Sequence, residues 1–416
     1  MVGQANSFII KKLSKTDIAL FFVVVMLVGF LLSRSLLSAG MAGFGATALW
    51  NVHLKNWLRD KWWLWGLAWV AMYAISGLWS SDASNWHTRV EVKLAILLLP
   101  LSFTLLPAFT AKQLRRFALI ASILFLCSAA YSLFFYFKDP VYYSEQYVYS
   151  HILPTLVYGD HIRYSLAVAL FIVWCVYIWP QLLHRWLRVF IAITIILLSI
   201  YLHVLAARSG LLVWYLFLVL FCFRLVFTKK PMVGISLLLF LAAAGFLASR
   251  YVPTLEKRVW YVKETYRQYQ GGVATSGLSD MGRLISYRLA VDIIKAHPFN
   301  GVGAGDMQQE MEKGYMAKYP QVPAEYRLIP HNQFLIVCLG CGIPALVLFS
   351  VWAFFPATWG RGAKGRFFLL VTWLSLLLAL MVEPMLEVQF GVFVFLFFLL
   401  WQRHTLTIAP PPAVAP

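Results

Sequence analysis

The chain has 416 residues, of which 61% are hydrophobic and 12% charged, with 35 basic against 17 acidic side chains. Soluble domains carry about 25% charged residues, so a water-soluble globular fold is excluded. The apolar segments run unbroken for about 17–22 residues, which excludes the alternating strands of a membrane barrel and leaves an all-α integral membrane protein.

Run length places about twelve transmembrane helices, at 17–33, 36–54, 62–80, 89–108, 112–137, 161–180, 186–205, 209–227, 231–249, 332–352, 366–382 and 386–402. The first, in "KKLSKTDIALFFVVVMLVGFLL", is longer than a signal-peptide core and has no A-x-A site after it, so it is expected to stay in the chain. Four regions follow: helices one to nine over 1–249, a large polar loop over 250–330, the last three helices over 331–404, and a tail from 405 to 416. One alternating set of short loops is rich in lysine and arginine, from Lys11, Lys12 and Lys15 through Arg224, Lys229 and Lys230 to Arg361, Lys364, Arg366 and Arg403. By the positive-inside rule these loops, and both termini, are expected in the cytoplasm. The basic excess then reflects topology and contact with anionic membrane lipids, not nucleic acid. Cys127, Cys175, Cys222, Cys338 and Cys341 all fall in apolar runs, which predicts core thiols rather than disulfides or a metal site.

Two connections on the opposite side are too long to be turns. The loop at 138–160 is rich in tyrosine, a composition suited to the membrane interface or to stacking on sugars. The 250–330 segment far exceeds a connecting loop and is expected to carry its own structure and function. Within it, "GRLISYRLAVDIIKAHPFNGVGAGD" (282–306) predicts a helix, a stop at His297–Pro298, and a glycine turn. Arg288, Asp292 and Lys295 make one polar stripe, with an Arg288–Asp292 pair at i, i+4. Leu284, Tyr287, Val291 and Ile294 make an apolar stripe beside it, and Leu289 and Ile293 a further apolar surface. "GVGAG" lacks dinucleotide-fingerprint spacing. It reads as a tight turn, or as a cradle of N–H groups for an anion, leading to Asp306 as a helix N-cap.

Polar residues also gather where helices meet that face. Arg208 in "AARSG" and Arg163 in "GDHIRYSL" lie at helix mouths, where a lone arginine is often a snorkelling anchor. "LIPHNQFLIV" (328–337) puts Pro330, His331, Asn332 and Gln333 at the start of an apolar helix, with Asn332 suited to cap it. Several arginines on one face suggest an anionic ligand, since guanidinium matches phosphate oxygens. Glu383 and Glu387, four apart at the last helix mouth, have no histidines beside them, so no metal or cofactor is expected. A twelve-helix transporter would instead show repeated halves and ionisable groups at mid-membrane.

The arginine-led helix, the "HP-x-x-G-x-G" stop, the "HN-x-F-L" helix start and the upstream "RSG" together resemble the signature region of the bacterial O-antigen ligase/polymerase superfamily, over about residues 206–345. The resemblance implies a GT-C-like, multi-pass protein of the bacterial inner membrane with a periplasmic active site. It implies glycan transfer from an undecaprenyl-diphosphate-linked donor, without a metal, to the lipid A–core oligosaccharide. O-antigen polymerases and protein O-oligosaccharyltransferases share these motifs. Carried onto this sequence, His331 is the catalytic base, and Arg208, Arg283, Arg288 and, more loosely, Arg163 bind the diphosphate or glycan, with either Arg283 or Arg288 as the essential loop arginine. His161, Asn332 and Glu383 are further candidates at the same face.

Overall fold

A computed structural model describes residues 13–50, 60–146, 153–157, 159–228, 230–251, 267 and 279–406. All regular structure among them is helical. In chain order the helices are α1 (Lys15–Leu32), α2 (Arg34–Leu49), α3 (Lys61–Ile75), α4 (Ala83–Leu105), α5 (Ala111–Lys138), α6 (Pro140–Gln146), α7 (His161–Ile178), α8 (Arg185–Leu205), α9 (Arg208–Val226) and α10 (Pro231–Tyr251). They continue as α11 (Ser279–Ala296), α12 (Met307–Lys318), α13 (Gln333–Phe354), α14 (Arg366–Val382) and α15 (Gln389–Thr405). A helix therefore occupies each of the twelve predicted apolar stretches, and α11 and α12 fill the described part of the large loop. Six stretches are long and apolar enough to cross a membrane by length and composition, including His161–Gln181, Arg185–Leu205, Arg208–Val226 and Gln333–Thr358. The chain is a multi-pass membrane protein.

Several boundaries follow from local chemistry. Ser33 ends α1 and caps α2 in one residue, and Gly29 and Gly40 let the two helices pack so closely that a Cβ at Gly29 would lie 2.3 Å from the Leu37 nitrogen. The chain turns from α8 to α9 through Ala206 at φ 54°, a left-handed conformation. α4 begins six residues before the predicted start, because Asp82 caps it by accepting from Asn85 N at 2.9 Å. Arg89 and Lys93 therefore lie in the second and third turns of the helix rather than at its start. α15 begins three residues late, since Met385–Glu387 forms a separate 3-10 turn. All five cysteines are unpaired, and Cys127, expected in the core, is exposed.

Around α11 and α12 the protein has a second, smaller core of Ile285, Leu289, Ala290, Met307, Met311 and Tyr315, closed by Ile336 and Leu339 of α13. The buried stripe of α11 is thus 285/289, and Leu284 and Val291 are exposed, contrary to the stripe read from sequence. The 285/289 face wins because α11 docks on α12 and α13 together. Asp292 pairs with Lys318 of α12 at 2.6 Å, so the carboxylate assigned to an Arg288 pair is engaged from a neighbouring helix.

Helix α13 is broken. Gly342 sits at φ 80°, ψ 179°, and Pro344 has no N–H to give. The carbonyls of Leu339 and Gly340 lose their helical partners and accept instead from Val302 N at 2.9 Å and Gly303 N at 3.0 Å. In return, Ile343 N donates to Pro298 O at 2.8 Å. The "HPFNGVG" turn is therefore spliced into the break. Gly301 and Gly303 have positive φ, and a Cβ on Gly342 would lie 2.0 Å from the Phe299 oxygen.

Candidate functional site

The glycine turn is held by its own backbone N–H groups. Gly301 N donates to His297 O, Val302 and Gly303 N to the opened helix, Ala304 N to Ser76 Oγ, Gly305 N to Ser80 Oγ and Asp306 N to Gly303 O. Every N–H from 301 to 306 has a partner within the protein. This overturns the anion-cradle reading and supports the tight turn. Asp306 does not cap α12 with its side chain either. Its carboxylate accepts from Ser81 N (2.7 Å), Ser81 Oγ (3.0 Å) and Asp82 N (2.8 Å), clamping the turn onto the α3–α4 connection.

The strap leading to α13 is pinned at successive points. Tyr315 donates its hydroxyl to Leu328 O at 3.1 Å, and Tyr287 donates to His331 O at 2.7 Å. Asn332 caps α13, its Oδ1 accepting from Phe334 N (2.9 Å) and Leu335 N (3.1 Å), while its Nδ2 donates to Met381 O at 3.0 Å. Between these points His331 is half-buried. Its Nδ1 lies 3.1 Å from Ile329 O. A carbonyl only accepts, so Nδ1 carries the proton and Nε2 holds the lone pair.

Charged groups converge on this ring. Burial pushes the imidazole pKa down, Glu383 pulls it up, and Arg283 and Arg163 push it down again. The net direction is downward from 6.5, which keeps the ring neutral at pH 7. Arg283 Nη2 donates to Glu383 Oε1 at 3.1 Å, with Arg283 about a third exposed and Glu383 buried. Arg163 Nη1 donates to Asp160 Oδ1 at 3.1 Å, and the same carboxylate oxygen caps α7 by accepting from Arg163 N. The Nε of Arg163 is buried with no hydrogen-bond partner among the described residues. His161 is the first residue of α7, directly after that cap.

"RSG" has a packing reason. Ser209 Oγ donates to Ile162 O at 3.1 Å and lies 3.1 Å from Ser165 Oγ. A Cβ on Gly210 would lie 2.7 Å from Ser165 O. The serine and glycine dock the start of α9 onto the start of α7, so Arg208 and Arg163 belong to one end of the bundle. Both Arg208 and Arg288 are exposed. On α11, Arg283 meets Glu383 and lowers the His331 pKa.

Beneath the histidine lies a cluster the sequence reading missed. Glu387 accepts from Arg89 Nη1 (2.7 Å), Lys93 Nζ (3.1 Å), Gln333 Nε2 (2.8 Å) and the Tyr73 hydroxyl (3.3 Å). Lys93 is wholly buried and lies 4.1 Å from the Tyr73 ring centre. Gln333 also accepts from Leu386 N at 2.8 Å, so one amide holds two adjacent residues of the turn before α15. Burial pushes the Glu387 carboxyl up, but Lys93 and Arg89 overcome it and hold it down at about 2. The sequence singled out Glu387 and Gln333 but not the cations Arg89 and Lys93, which stand i, i+4 on α4. Their partner is almost 300 residues away.

The arrangement offers a neutral imidazole with its lone pair on Nε2, guanidinium groups beside it, and a carboxylate able to steady the ring when it charges. Residues 193–350 match the family model described as O-antigen ligase. That span contains Arg208, Arg283, Arg288, His331 and Asn332, and takes in all of the 206–345 pattern. No curated protein matches the chain. Members of the matching family are membrane glycosyltransferase-like enzymes. Over residues 193–350 the chain is similar to the O-antigen ligase family.

Proposed function

We propose that this protein is an O-antigen ligase. It transfers polysaccharide from undecaprenyl diphosphate to lipid A–core oligosaccharide at the periplasmic face of the inner membrane. The single observation carrying the chemistry is the convergence of His331, Arg283, Glu383 and Arg163, with His331 neutral and its lone pair on Nε2. Glycosyl transfer from a diphosphate needs a base for the acceptor hydroxyl and positive charge for the leaving group.

In this mechanism Nε2 of His331 takes the acceptor proton. The acceptor oxygen attacks the anomeric carbon as the bond to the diphosphate breaks, with inversion. Arg283, Arg163 and Arg208 stabilise the negative charge that develops on the departing diphosphate, and Arg288 contacts the glycan or diphosphate from the exposed side of α11. Glu383 and Asp160 hold two of these guanidinium groups in place until substrate arrives. Glu383 then stabilises the imidazolium. The reaction is metal-independent, its charge being met by arginine. All twelve apolar helices span the membrane in a GT-C-like arrangement, with both termini cytoplasmic.

The test offers the purified protein one undecaprenyl-diphosphate-linked glycan and three acceptors: lipid A–core, a second lipid-linked glycan, and pilin. Product on lipid A–core alone is expected. Product only on the second lipid-linked glycan would mean a polymerase, and product only on pilin a protein glycosyltransferase. His331→Ala is expected to lower turnover by about 10²–10⁴-fold, the usual worth of a general base. Its thermal unfolding should match that of the parent protein. Undiminished transfer by the variant would remove His331 from the mechanism.

A further inference from the structure

At the end of the bundle opposite His331 there is a second basic site that glycan transfer does not use. α9 runs 19 residues from Arg208, about 28 Å at 1.5 Å per residue, close to the thickness of a bilayer core. Where it ends, Phe221, Arg224, Leu225, Thr228, Lys230 and Phe368 line a cavity of about 350 Å³. That volume lies within the ~300–1,000 Å³ range of small-ligand sites.

The guanidinium of Arg224 lies over two aromatic rings, its central carbon 4.7 Å from the Phe367 ring centre and 5.7 Å from that of Phe368. Its Nη1 is buried and has no hydrogen-bond partner among the described residues. A buried, unpaired guanidinium N–H is an unfavourable state that an anion relieves. Lys230 adds a second cation at the rim, and the lining contains no acid. The apolar surface continues outward from the cavity through Phe223, Phe227, Met232 and Val233, all exposed. A charged head beside an open apolar wall is the shape of a lipid, not of a free ion.

We infer that this cavity binds the phosphate of an anionic membrane phospholipid. Arg224 and Lys230 hold the head group, and the acyl chains lie along the exposed faces of α9 and α10. Basic pockets between membrane helices at the head-group level recognise lipid in this way. The inference does not depend on the transfer reaction, because the cavity and the histidine lie at opposite ends of α9.

The full-length protein, purified into phosphatidylcholine nanodiscs, tests it. Phosphatidylglycerol is titrated in, and lipid retained through detergent extraction is counted by native mass spectrometry. Selective retention of phosphatidylglycerol is expected. Lys230→Gln should weaken it about fivefold, the worth of one cation near an anionic lipid, and Arg224→Gln should weaken it further. Arg185→Gln, an exposed cation at the same end, should change nothing. Lys230 is exposed, so its variant reports on binding even if Arg224→Gln misfolds. Equal retention of phosphatidylcholine, or retention unchanged in the Lys230 and Arg224 variants, overturns the inference. So does displacement of the lipid by millimolar inorganic phosphate, which would make this a free-phosphate site.

Discussion

Glu383 and Glu387 stand four residues apart on either side of one short turn, and the protein treats them in opposite ways. Glu387 is enclosed by Arg89, Lys93, Gln333 and Tyr73, and its carboxyl is held at about 2. Among the described residues Glu383 pairs with one guanidinium, that of Arg283, which is itself partly open to solvent, and it faces a histidine that can change charge. A saturated ion cluster fixes geometry, since breaking it leaves an uncompensated charge in a dry place. A part-filled one is where a substrate's charge can enter. The turn before α15 thus joins an anchor to a working surface.

Glu387→Ala should separate the two most sharply. It leaves Lys93 buried without its carboxylate and should cost about 3–5 kcal/mol, seen as lower membrane yield and a lower unfolding temperature in detergent. The carboxyl falls from 4.5 to about 2 on folding. Its contribution is therefore complete above pH 4.5 and lost as pH falls through about 2. Glu387→Gln should flatten that part of the acid-stability curve. If the alanine variant is as stable as the parent, the anchor role is wrong.

Gly342→Ala strikes the same closed region. Positive φ and the close Phe299 oxygen should cost about 1–3 kcal/mol, measurable by thermal unfolding, with activity falling only as folded protein is lost. Glu383→Gln should do the reverse. Turnover should drop about tenfold, near 1.4 kcal/mol, while the unfolding temperature holds. Removing the Glu383 charge lets the His331 pKa fall further, so the acid limb of the rate profile should move to lower pH. Arg283→Gln should move it to higher pH, because Arg283 depresses that pKa. Limbs that do not move would detach these residues from the histidine. The smallest effect belongs to Ala206→Gly, which relieves a left-handed alanine and should stabilise by about 0.5–1 kcal/mol without changing turnover.

Much of the helical plan was legible because apolar run length is a local property. The twelve helical stretches, the α11 stop at His297–Pro298 and the Asn332 cap all appear where the residues alone predict them. What escaped depends on pairs distant in the chain. Gln333 had no assignable role until Glu387 and Leu386 were placed beside it. The polar stripe of Arg288, Asp292 and Lys295 drew attention to Arg288, but Lys318 engages Asp292 while Arg283 reaches Glu383. Helical spacing says which residues share a face, not what that face meets. The "GVGAG" turn failed for a related reason: its glycines answer to a break in α13 nearly 40 residues later.

That break has a consequence for the order in which the protein is made. Ribosomal synthesis delivers residues 298–303 before 339–343, so the turn exists when the helix needing it emerges. Until the two meet, Leu339 and Gly340 carry bare carbonyls on an apolar helix, a state lipid penalises by several kcal/mol each. The helix completes its hydrogen bonding only by capturing a segment that precedes it. Assembly around His331 thus ends in a docking event, and the bilayer enforces it.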